Sequence, residues 1–175
     1  PGYEAVIAGS CAENTQRQVS HFEDKHPVFR VDLVEAMSNS NFLNKIIDWA
    51  KNNINKGPIC ISTSADVDGV KRAQEKLGRD GAAALADEIL GSSAAALKDL
   101  GVRKFVVAGG ETSGQFFKSL NIEQVQVSSF DNLAGGYCHE ASADPISIVT
   151  KAGGLGDEKF FFTALERMRQ ADNQK

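Results

Sequence analysis

The sequence is short of cysteine, of basic runs and of long apolar stretches, and each shortage excludes something. Its three cysteines, Cys11, Cys60 and Cys138, lie far apart, are odd in number and form no CxxC pair. A disulfide framework and a zinc site are therefore not expected, and a reducing, cytoplasmic setting is. The formal net charge is -4, with no run of lysine and arginine. That argues against nucleic acid as a partner. No apolar run nears membrane-spanning length, and residues 1–10 carry no basic region leading into an apolar stretch, so neither a membrane partner nor a signal peptide is expected. His21, His26 and His139 show no metal-ligand spacing. No triad or carboxylate pair stands out either, so no metal site and no catalytic residue is assigned. The chain opens Pro1-Gly2-Tyr3 without methionine, which reads as a piece of something longer.

What is present fits one domain with a sizeable core: 175 residues, 42% hydrophobic and 24% charged. Three glycine-bearing turns each follow a β-like run and open a helix-like run. They span residues 5–18, 105–117 and 146–161. A strand that ends in glycines and feeds a helix leaves free backbone N–H groups beside the positive end of the helix dipole. Three such turns suggest a site for a polyphosphate or nucleotide.

The coarse pattern alternates strand and helix. Strands are expected at 3–8, 27–31, 58–62, 103–108, 125–128 and 145–150. Helices are expected at 14–25, 41–53, 80–100, 112–120 and about 157–169, with Gly101 as a C-cap. Trp49 falls on an apolar helical face. Residues 129–143 read as a loop, with Gly135-Gly136 a turn or a cover over the site. The pattern predicts a three-layer α/β fold, with a mostly parallel sheet and helices on both faces. Ligands of such sheets bind beyond the carboxyl ends of the strands, where all three glycine turns fall.

The middle turn, Gly109-Gly110-Glu111-Thr112-Ser113-Gly114, nearly fits a P-loop. Gln115 and Phe116 stand where that motif needs lysine and a hydroxyl, so a P-loop is excluded. Its backbone can still cradle phosphate. The competing reading is a tight turn with Thr112 or Ser113 as N-cap. In the last turn the backbone of Gly153 and Gly154 can face phosphate or adenine. Lys151 reads as a solvated loop lysine rather than a charge partner, and Asp157 and Glu158 suit a helix N-terminus. In the first turn Ser10 can offer a hydroxyl to a ligand. Asn14 or Thr15 reads as the helix cap, and Cys11 as a small buried thiol. Asp66-Val67-Asp68 reads as a loop and cap rather than a cation site.

At these residues the chain resembles the four-carbon acid sugar kinases, the 3-oxo-tetronate and erythronate/threonate kinases. The likeness lies in Gly-Ser-Cys-x-x-x-Thr from Gly9, Val-Ala-Gly-Gly-Glu-Thr-Ser-Gly from Val107, and Lys-x-Gly-x-x-Gly-Asp-Glu-x-Phe-Phe from Lys151. It is to their C-terminal, nucleotide-binding domain and covers nearly all of 1–175. The resemblance implies the ATP-binding domain of a two-domain, cytoplasmic kinase of carbohydrate metabolism, a transferase that uses ATP and Mg²⁺. It places the acid sugar mainly on an absent N-terminal domain and so implies that the fragment alone is inactive. A homodimer stays open. Carried over by motif, Ser10, Gly109, Gly110, Glu111, Thr112, Ser113, Gly114 and Gly156 are nucleotide contacts, beside Gly153 from the backbone reading. The family commonly has Ser-Gly-Asn-Phe-Gly where this chain has Ala152-Gly153-Gly154-Leu155-Gly156. The alternative function is a non-catalytic module that senses a nucleotide or phosphosugar.

Overall fold

The computed structural model describes residues 2–63, 67–128 and 136–172. The elements run β1 (Tyr3–Ala8), α1 (Glu13–Glu23), β2 (Val28–Arg30), α2 (Leu33–Ser38), α3 (Phe42–Asn53), β3 (Ile59–Ser62), α4 (Val67–Asp99), β4 (Val102–Ala108), α5 (Gly110–Ser119), β5 (Val125–Val127), β6 (Gly136–Glu140), β7 (Ser147–Lys151) and α6 (Phe160–Asp172). One sheet has the order β2-β3-β1-β4-β7-β6-β5. The first five strands are parallel, and β6 and β5 close one edge antiparallel.

Helices cover both faces, as the alternation predicts. The strand period of two divides the core. Ala5, Ile7, Phe105 and Val107 face Ile46, Leu90, Leu97 and Phe116 of α3, α4 and α5. Val6, Ala8, Val106 and Val149 face Val19, Phe22, Phe161 and Leu165 of α1 and α6. Within α3, Phe42, Ile46 and Ala50 are buried at four-residue spacing, which is the stripe that sets it against the sheet. Trp49 packs edge-on to Phe29 at 5.4 Å.

The register ends the parallel strands level. Ala8 pairs with Ser62 and with Ala108, and Ala108 pairs with Lys151. The next residues continue the ladder: Gly9 N–H donates to the Ala108 carbonyl, Thr63 N–H to that of Ala8, and Gly109 N–H to that of Lys151, each at 2.9 Å. The turns that follow therefore start from one row.

Several local expectations are corrected. The helix expected at 80–100 is present, but a stretch that was not expected precedes it: α4 starts at Val67 and is broken at Gly78 (φ 72, ψ 166), a left-handed conformation that suits glycine. Helix α2 was not expected; Asp32 caps it by accepting from the N–H of Val34 and Glu35. Part of the expected 129–143 loop is strand β6, while Ser129–Gly135 lie outside the described residues. So does Asp66 of the Asp66-Val67-Asp68 reading. Helix α6 begins at Phe160 because Gly156 (φ 79) turns the chain first, and Asp157 Oδ1 accepts the Lys159 N–H at 3.0 Å. Gly101 (φ 100) ends α4 as expected. No described helix is long and apolar enough to cross a membrane.

Candidate functional site

At the carboxyl end of β1 the chain leaves for α1 on one face of the sheet. At the end of β4 it leaves for α5 on the other. Diverging connections on adjacent strands open a crevice, the usual ligand position in open α/β sheets. Here the crevice has a volume of ≈ 980 Å³. Its floor is Gly9, Ser10, Thr63, Gly109, Gly110 and Gly153, and its wall is α4.

The floor is tight where protein meets protein and open where it faces the crevice. A Cβ on Gly9 would lie 2.0 Å from Thr112 Oγ1, and one on Gly153 would lie 2.2 Å from Ser10 Oγ. Gly109 has φ 118 and needs glycine for its backbone. A Cβ on Gly110 would meet no protein atom within 4 Å, although this residue lines the crevice. The space there is not needed for packing.

Helix α5 opens at Gly110, with Gly109 as N-cap and no side-chain cap. The reading of Thr112 or Ser113 as N-cap is corrected: both lie inside the helix. Thr112 donates to Asp87 Oδ1 at 2.9 Å, and Ser113 to the Gly109 carbonyl at 2.7 Å. The first-turn N–H groups of α5 thus lack intrahelical partners at the crevice floor. Burial holds the Asp87 carboxyl above the usual range; the Thr112 hydrogen bond opposes this and Glu111 adds to it.

The last turn is held from α1. Asn14 Nδ2 donates to the carbonyls of Gly154, Leu155 and Gly156 at 3.3, 3.1 and 2.8 Å. Thr15 Oγ1 donates to the Gly153 carbonyl at 3.0 Å, and Gln18 Nε2 to those of Leu155 and Asp157 at 3.0 and 2.8 Å. Neither Asn14 nor Thr15 caps α1, whose N-cap is Ala12. Lys151 is not a solvated lysine. It is 2% exposed, and Nζ donates to Thr15 Oγ1, the Ala152 carbonyl and the Gly153 carbonyl at 3.1, 3.0 and 3.1 Å. Cys11 is exposed on the crevice rather than buried.

Of the residues singled out by sequence, Ser10, Gly109, Gly110, Glu111, Thr112 and Gly153 come together on the crevice. Ser113, Gly114 and Gly156 do not line it. A Cβ on Gly156 would meet the Phe160 ring at 2.6 Å, so that glycine serves the turn. Sequence reasoning missed Thr63, Arg72, Arg79 and Asp87, all on the crevice. Arg72 and Arg79 are exposed and have no ion-pair partner among the described residues. Thr63 is 5% exposed, and its hydroxyl has no hydrogen-bond partner among the described residues. Only Gly78, between the two arginines, hinted that this stretch was more than an ordinary helix. Among the described residues no group of three or more His, Cys, Asp or Glu is placed to hold a metal.

A family model described as "Nucleotide-binding C-terminal domain" matches residues 5–161. The 3-oxo-tetronate kinase of Burkholderia multivorans is 32% identical over 167 residues, which cover 95% of this chain and 39% of that protein. The one from Pseudomonas fluorescens is 32% identical over 168 residues, with the same coverage. A Haemophilus influenzae protein of known crystal structure shares the fold with a TM-score of 0.86 and 28% identity, over 95% of this chain and 40% of that one. A Bordetella bronchiseptica protein, solved with bound citrate as a domain-swapped dimer, matches at a TM-score of 0.71 and 17% identity over 97% of this chain and 42% of that one, a likeness of fold. The chain spans about two fifths of the length of the curated relatives it matches.

Proposed function

Since the chain belongs to the family of nucleotide-binding C-terminal domains, we propose that its crevice binds ATP for a kinase that phosphorylates a four-carbon sugar acid. The observation that carries this reading is the cradle at Gly110. Open space lies over an uncapped helix N-terminus, beside a buried hydroxyl and two guanidinium groups that have no hydrogen-bond or ion-pair partner, respectively, among the described residues. Each feature suits a polyphosphate. Arg72 and Arg79 stand in for the lysine that Gln115 replaces.

The donor set also fits Mg²⁺. Asp80, Asp87 and Glu111 line the same crevice, and Mg²⁺ uses one or two carboxylates while phosphate oxygens and waters complete its shell. Bound there, the ion would neutralise charge on the β- and γ-phosphates. Glycine turns position the nucleotide and the α5 dipole draws its negative charge, the two contributions that phosphoryl transfer needs most. The sugar acid, on this reading, is held mainly by the part of the relatives' length that this chain does not span. The chain alone then binds nucleotide without turnover, and the cell compartment is the cytoplasm.

A second reading, a non-catalytic sensor of nucleotide or phosphosugar, draws on one observation. Among the described residues lining the crevice there is no histidine or lysine to move a proton. Calorimetric titration with ATP and Mg²⁺, and with sugar phosphates, tests both. ATP binding, with ATP consumption dependent on erythronate, threonate or their 3-oxo relatives in the longer protein alone, is the expected result. No ATP binding at millimolar concentration overturns the proposal. Binding without turnover by the longer protein favours the sensor.

A further inference from the structure

Lys151 joins two of the three glycine turns. Its carbonyl accepts the Gly109 N–H at 2.9 Å, which fixes the turn that opens α5. Its ammonium reaches the other way, to the carbonyls of Ala152 and Gly153 and to Thr15 Oγ1. Thr15 itself donates to the Gly153 carbonyl, so this turn is gripped twice. Gly153 in turn lies against Ser10. One residue thereby links the floor of the crevice from β4 to β1 without lining the crevice itself.

Every acceptor around Nζ is neutral. No charged group of the neighbouring elements is a partner of Nζ among the described residues. Glu13 and Arg17 of α1 pair with each other. Asp157, at the foot of the turn, caps the Lys159 N–H, and Glu158 beside it is exposed. Lys104 of β4 is paired with Asp172 at 2.7 Å. Asp87 and Glu111 belong to the wall and opening of the crevice, on α4 and α5. Cys11, on the β1–α1 turn, is an exposed thiol whose pKa is raised by partial desolvation at the crevice. A buried ammonium with no counter-ion among the described residues is costly, and the negative charge it lacks there is what a phosphate would bring.

We infer that Lys151 is a positioning residue for the phosphate cradle: it sets the relative placement of the Gly109 and Gly153 turns and gives bound anion a buried positive charge beneath them. This rests on the nucleotide reading of the crevice. Desolvation lowers the Lys151 pKa to about 8 in the free protein. An anion in the cradle favours the ammonium and raises that value. Between the free and bound values, nucleotide binding draws a proton from solution, so affinity falls as pH rises above about 8. Below that pH the ammonium is already formed, and this group takes up no proton on binding.

The test is calorimetric titration of the 175-residue chain with MgADP at pH 7 and at pH 8.5, in buffers of different ionisation heat. The wild-type chain should take up a fraction of a proton at the higher pH, with affinity falling by up to roughly tenfold per pH unit. Lys151→Met should bind roughly tenfold more weakly at pH 7 and lose the pH slope. Lys151→Arg, which stays charged, should recover part of the affinity at pH 7 and also lose the slope. Variants whose pH profiles run parallel to wild type overturn the inference. If Lys151→Met does not fold, lysine side-chain NMR on the wild-type chain decides. A lysine titrating near pH 8 should shift upward with MgADP, and titrations that MgADP leaves in place overturn the inference. Failure of the wild-type chain to bind MgADP at either pH overturns the nucleotide reading itself.

Discussion

Thr112, in the first turn of α5, donates its hydroxyl proton to Asp87 on α4 across 2.9 Å. The bond joins the helix that opens over the cradle to the helix that walls it. It also holds a carboxylate where burial disfavours its charge.

Asp87→Asn should stabilise the nucleotide-free protein at pH 7 and weaken its binding of Mg²⁺-nucleotide. The sign follows from the raised carboxyl pKa. Above the ordinary aspartate range the unfolded chain ionises Asp87 while the folded chain resists, so stability falls as pH rises through that window. Asparagine keeps an acceptor for Thr112 and removes the charge. Thermal unfolding at pH 7 should show a higher midpoint, by about 2–4 °C for each kcal/mol relieved. Calorimetry should show weaker binding in Mg²⁺ but little change without it. A lower midpoint would count against the sign.

Gly110→Val and Gly109→Val should part company. A Cβ at 110 meets no protein atom within 4 Å, whereas φ 118 at 109 opposes any side chain. Gly110→Val should fold and lose roughly tenfold or more in ATP affinity, because it fills the cradle. Gly109→Val should lose about 1–3 kcal/mol of stability. Denaturant unfolding and ATP titration of the pair measure both effects. Unchanged affinity in folded Gly110→Val would leave the turn with a purely structural role.

Arg72→Gln and Arg79→Gln should flatten the affinity series from AMP to ADP to ATP. An arginine–phosphate hydrogen bond contributes about 1.5–3 kcal/mol when formed. Each variant should therefore lose roughly tenfold for ATP and little for adenosine. Both arginines are exposed, so folding should be unaffected. Equal losses for adenosine and ATP would show that they act elsewhere than on phosphate.

Gly156→Ala should act on stability rather than on binding. The new methyl would press on the Phe160 ring at 2.6 Å, from a residue at φ 79. A loss of about 1–3 kcal/mol in denaturant unfolding is expected. A selective loss of ATP affinity at unchanged stability would return Gly156 to the nucleotide site.

The strands and the glycine turns were legible because β-branched runs such as Val6-Ile7 and Val106-Val107 are buried on both faces and end in glycine. The hydrophobic pattern marks such strands strongly. Strand β6 was not legible: Gly136-Tyr137-Cys138-His139-Glu140 lies at the sheet's antiparallel side and has no apolar alternation. Lys151 misled because burial of a strand-end lysine depends on acceptors that another element brings, here Thr15 of α1. Asn14 and Thr15 misled for the complementary reason. They look like caps, but their side chains hold a turn about 140 residues away. Arg72 and Arg79 acquire meaning only once α4 lies across the carboxyl edge of the sheet.

The break at Gly78 divides α4 into parts of unequal anchorage. In the stretch 68–77 only Ala73 is buried, while 82–97 includes Ala82, Ala86, Leu90, Ala94 and Leu97 among its buried residues. The front part can detach without disturbing either core cluster, at far less than the cost of global unfolding. Its amides should exchange with solvent early, and the exposed Arg79–Asp80 bond should be an early tryptic cut. A ligand bridging Arg72 and Arg79 spans the break, so bound nucleotide should register there as protection from protease.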